Sequence, residues 1–81
     1  MVQGDSRYIL TETIKQALDG KADFALLREA IADPQALSPL EKSAWLQLQN
    51  WAADEYLRRH FPMHAEFSQR RLGDLLVRLE R

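Results

Sequence analysis

The sequence predicts an all-α fold. The form expected is a compact four-helix bundle: two short N-terminal helices, a long central third helix, and a C-terminal fourth in a hairpin with it. Three observations lead there. Apolar residues recur at spacings of three and four along most of the chain, the period of one helix face. No segment alternates apolar and polar residues as a half-buried strand would. Gly20, Pro34, Pro39 and Pro62 stand where those periodic runs begin or end.

Residues 1–6 carry no pattern and are expected to be disordered. The first helix should run from about Arg7 to Asp19, capped by Asp5 or Ser6, with Leu10, Ile14, Ala17 and Leu18 on one face. Gly20 suits the left-handed position that closes it. Asp23 is the N-cap of a short second helix from Phe24 to Ala32, with Phe24, Leu27 and Ile31 as its stripe. Pro34 stops that helix, because it has no amide hydrogen to donate and biases Asp33 away from helical backbone.

The clearest local signal is Ser38-Pro39-Leu40-Glu41. A serine cap, a proline at the first helical position and a glutamate at the third predict a reciprocal capping box, with Leu37 as a loose hydrophobic staple. The third helix is then expected to continue to about His60, roughly 22 residues or ~33 Å. Pro62 ends it. The fourth helix should run from Met63 or His64 to Leu79 on a stripe of Ala65, Ser68, Leu72, Leu75, Leu76 and Leu79. Gly73 inside it costs about 1 kcal/mol relative to alanine. A close approach by a neighbouring helix would explain the choice.

With 81 residues the chain makes one domain, 1–81, with a thin core. It has no cysteine, which removes disulfides and thiolate-bound zinc. Its formal charge of −1 sets up no global field toward nucleic acid or anionic lipid. No window is apolar enough for a membrane span, and the first residues resemble no secretion signal, so the cytoplasm is expected.

Three chemistries can be weighed on particular residues. His60 and His64 are four apart with Glu66 nearby, yet Pro62 lies between them and no third ligand is evident, so neither a metal nor a cofactor is expected. No catalytic motif is present, and Ser6, Ser38, Ser43 and Ser68 read as caps or packing residues. Glu55 interrupts an apolar face; it is either a buried carboxyl or a partner for Arg59 one turn away. Arg58, Arg59, Arg70, Arg71, Arg78 and Arg81 raise the alternative of a nucleic-acid-binding accessory protein. Five carboxylates in the same third dilute that charge.

The third helix carries two stripes. Leu40, Ala44, Leu48, Trp51 and Ala52 share one face, with Trp45 and Tyr56 at its edge, and Leu46, Ala53 and Leu57 lie opposite. Either the helix is central and both stripes are core, or the second stripe seats a partner. Central placement is the more economical for a thin bundle. On the fourth helix, Met63, Phe67 and Val77 also fall off the main stripe. The functional reading is a non-catalytic protein–protein interaction module: an adaptor, inhibitor or regulatory subunit whose partner is another protein or a second copy. Its expected interface is Leu46, Ala53, Leu57, Phe67 and Val77, rimmed by Arg58, Arg59, Arg70 and Arg71. A purely structural domain of a larger assembly would present the same sequence features.

Overall fold

The computed structural model describes residues 5–81. Every regular element among them is helical: α1 Asp5–Leu18, α2 Phe24–Ala30, α3 Pro39–Ala53, α4 Glu55–His60 and α5 Pro62–Glu80, with a 3₁₀ turn at Pro34–Ala36. Of the six N-terminal residues expected to be disordered, 1–4 lie outside the described residues. Asp5 and Ser6 are already in the first turn of α1 and do not precede it as caps.

Local chemistry sets most boundaries. At the end of α1, Gly20 takes φ 77°, its amide donates to the Ala17 carbonyl at 3.0 Å, and the Lys21 amide reaches back to Gln16 at 2.8 Å. This is a Schellman closure. Asp23 Oδ1 accepts from the amides of Ala25 and Leu26 at 3.1 and 3.2 Å and so starts α2. α2 stops at Ala30, two residues short of expectation, because Ile31 turns to φ −118°, ψ 85° while its side chain enters the core. Asp33 then accepts from the Gln35 amide at 3.1 Å and folds the proline segment into the 3₁₀ turn.

Ser38 caps α3 as expected, its Oγ accepting from the Glu41 amide at 3.3 Å with Pro39 in the first turn. The reciprocal half of the box does not form. Glu41 Oε1 instead accepts from the Ser6 hydroxyl of α1 at 3.4 Å.

The long third helix is the main correction. It breaks at Asp54, φ −93°, ψ 12°, into α3 and α4. The Arg58 guanidinium donates to the Trp51 carbonyl, the acceptor an unbroken helix would give to the Glu55 amide. The same guanidinium lies 3.8 Å from the centre of the Trp51 ring. A side chain inserted into the backbone ladder is a recognised cause of a kink. Pro62 does end α4 at His60, and occupies the first turn of α5.

The kink changes the architecture. The core is three helices, α1, α3 and α5, each packed on the other two, with α2 laid on α1 and α4 folded onto α5. Leu10, Ile14, Ala17, Leu27, Ile31, Ala44, Leu48, Trp51, Leu72, Leu75 and Leu79 form one buried cluster. α1 and α5 both meet the Ala44–Leu48–Trp51 side of α3, so the central placement expected to make both stripes core does not occur, and Leu46 and Leu57 stay exposed. The physical reason is supply: α2 has only seven residues, and α4 is directed onto α5.

Two contacts join the chain ends. Arg7 Nε donates to the Leu79 carbonyl at 2.7 Å and its Nη2 to Arg78 at 3.3 Å, meeting the negative end of the α5 dipole. Lys15 pairs with Glu80 at 3.1 Å and with Glu12 at 3.6 Å. Buried Thr11 and Thr13 return their hydroxyls to carbonyls four residues earlier. Gly73 marks no close approach: a Cβ there would meet nothing within 4 Å.

Candidate functional site

The apolar side of α5 is spent on the core through Ser68, Leu72, Leu75 and Leu79. At about 100° per residue, Met63, Phe67, Arg70, Asp74 and Val77 fall on the opposite side. Met63 is 84% exposed, Phe67 59% and Val77 52%. On α3, Leu46 is 51% exposed and Ala53 is also exposed, both opposite Ala44 and Leu48. Leu57 on α4 is 40% exposed. The second stripe of the old third helix therefore faces outward.

These residues do not make a single face. α3 and α5 meet through their core sides, so Leu46 and Ala53 look away from α3 in one direction, and Phe67 and Val77 look away from α5 in another. The sequence reading grouped them because each falls off the main apolar stripe of its helix. It also passed over exposed Tyr8, Leu26 and Phe61, and it set Tyr56, which is exposed, at the edge of the core face. Leu26 was legible, since it sits off the Phe24–Leu27–Ile31 stripe; Phe61 was not, because its exposure follows from the α4–α5 turn.

The four rim arginines divide as well. Arg58 is half-buried on Trp51, a structural clamp and no free rim charge. Burial pushes its guanidinium below the usual value, and the Asp54 and Glu55 carboxylates oppose that shift. Arg59 pairs with Glu55 at 3.1 Å, both well exposed, which answers the question about Glu55: it is a surface partner and no buried acid. Arg71 approaches the Phe67 ring at 6.0 Å, and Arg70 is exposed. Arg58 and Arg59 line one depression with Ala17, Ala65 and Gln69, whereas Arg71, Arg78 and the exposed Asp74 between them line another with Leu40 and Ser43 of α3. The depression that Arg58 and Arg59 line holds neither Arg70 nor Arg71.

His60 and His64 lie on different helices. His64 Nε2 sits 3.1 Å from Asp54 Oδ2, tying the α3–α4 break to α5, and the His60 ring stacks near Tyr56 at 4.3 Å. Among the described residues no three His, Cys, Asp or Glu side chains are grouped to hold a metal ion. None of their helices is long and apolar enough to cross a membrane. No family model, curated protein or solved structure matches this chain, so any functional reading rests on its own residues.

Proposed function

We propose that this chain is a non-catalytic helical interaction module of the cytoplasm, an adaptor, inhibitor or regulatory subunit, which holds a protein partner on the outward face of α5. One observation supports the reading above others. Met63, Phe67 and Val77 stand at helical spacing on that face, more than half exposed, in a chain whose thin core had use for them. Aromatic and methionine side chains beside arginine are what interface centres favour, and Arg70 and Arg71 supply the rim. Leu46, Ala53 and Leu57 form a second, lesser patch.

The test is capture of partners from source cells by wild type and by Phe67→Asp, with circular dichroism as the control for fold. Loss of a partner by the variant at unchanged helicity supports the reading. A full complement of partners on the variant would sink it. Leu57→Asp asks the same of the second patch, and Arg59→Ala should matter far less, as rim charges do.

A further inference from the structure

Phe67, Arg70, Asp74 and Val77 are spaced three, four and three residues apart on the outward side of α5. That spacing reads the same in both directions, and so does the chemistry: apolar, charged, oppositely charged, apolar. We infer that the partner for this face is a second copy of the chain, with the two α5 helices antiparallel about a two-fold axis near Leu72. This inference rests on the α5 face being a binding surface, as proposed above, and adds its occupant.

The two-fold sets the pairs. It places Phe67 against Val77 of the second copy and Arg70 against its Asp74, and symmetry repeats both contacts. A two-fold interface must be self-complementary, residue i meeting j while j meets i, and an arbitrary surface helix has no reason to satisfy that condition. Here the apolar and the charged pairs satisfy it in one common register. Arg71 lies beside Asp74 of the second copy on the flank of the same seam.

The charges are available for this use. Among the described residues, neither Arg70 nor Asp74 makes an ion pair within the chain, although they are one turn apart. Arginine N-terminal to the acid is the weaker order for an intrahelical pair. Charged pairs at the centre of a helix seam specify register more than they add stability, leaving Phe67 and Val77 as the anchors. A seam one helix long, ~28 Å at 1.5 Å per residue, falls short of the ~1,200 Å² of a stable interface. The dimer is therefore weak and dependent on concentration.

Charge exchange tests both the occupant and the register. Sedimentation equilibrium of the full chain up to about 1 mM should show wild type as monomer and dimer. Arg70→Asp sets two acids against each other across the seam, and Asp74→Arg sets two bases. Each should weaken dimerisation at least about tenfold at unchanged helicity. The double variant R70D/D74R, and an equimolar mixture of the two single variants, should restore it. A wild type that stays monomeric, single variants that dimerise normally, or a mixture that fails to associate would each overturn the inference. A monomeric wild type whose Phe67→Asp variant loses a captured partner would leave the binding-module reading standing. Loss of both would remove the two together.

Discussion

Gly73 and Gly20 are both open around their missing Cβ, yet substitution should move stability in opposite directions. Gly73 is in the middle of α5 with nothing within 4 Å of an added Cβ, so Gly73→Ala should stabilise the fold by up to about 1 kcal/mol through helix propensity. Gly20 holds φ 77°, where an L side chain crowds its own backbone, so Gly20→Ala should cost about 1 kcal/mol. Thermal melts of the pair decide it: a fall in Tm for Gly73→Ala would mean that the glycine has a packing duty after all. Lys15 has a pH signature. Its hydrogen bond to Glu80, then the charge of Glu80, raise its ammonium above the ordinary 10.5. A raised folded value gives stability that is fully present below the unfolded value and lost as pH rises through the folded one. Wild type should thus lose stability above about pH 10.4 in a way that Lys15→Gln does not, as read by urea midpoints across that range.

At the scale of elements, the break at Asp54 hangs on one side chain. Arg58→Ala removes the competitor for the Trp51 carbonyl, which the Glu55 amide can then reach. Amide exchange at Glu55 should slow, while overall stability falls because Trp51 loses its cationic cover and α4 is drawn away from α5. Unchanged exchange at Glu55 would show that the backbone breaks there for another reason. The helix starts at Asp23 and Ser38 and the stop at Gly20 were legible, since each depends on groups within a few residues, whereas Pro62, expected only as a terminator, is itself the first residue of α5. The kink was not legible. No proline or glycine marks Asp54, and the side chain that takes the Trp51 carbonyl lies seven residues away.

For the whole molecule, a three-helix core of this size has little redundancy. Leu48 is fully buried where α1, α3 and α5 meet. Leu48→Ala should cost about 2–5 kcal/mol, a large share of the ~4–12 kcal/mol typical of a domain this size, and lower Tm by about 10 °C or more. A cooperative melt near the wild-type temperature would contradict that. Arg7→Ala should cost about 1 kcal/mol by releasing the last α5 carbonyls, seen first as faster exchange in the final turn of α5.

What the sequence by itself determined is the helical class, the caps at Asp23 and Ser38 and most of the core, because periodicity and capping act over one or two turns. Leu18, expected inward beside Leu10 and Ile14, is 37% exposed at the end of α1. Leu10, Ile14, Leu27, Leu48, Leu72 and Leu79 all read correctly as inward. What only the tertiary structure decided is which faces are left over. Whether Leu46, Ala53 and Leu57 are core depends on how many helices are long enough to surround α3, and whether they share a face with Phe67 and Val77 depends on the directions in which α3 and α5 look outward. Those are properties of packing between segments distant in the chain, and no local pattern encodes them.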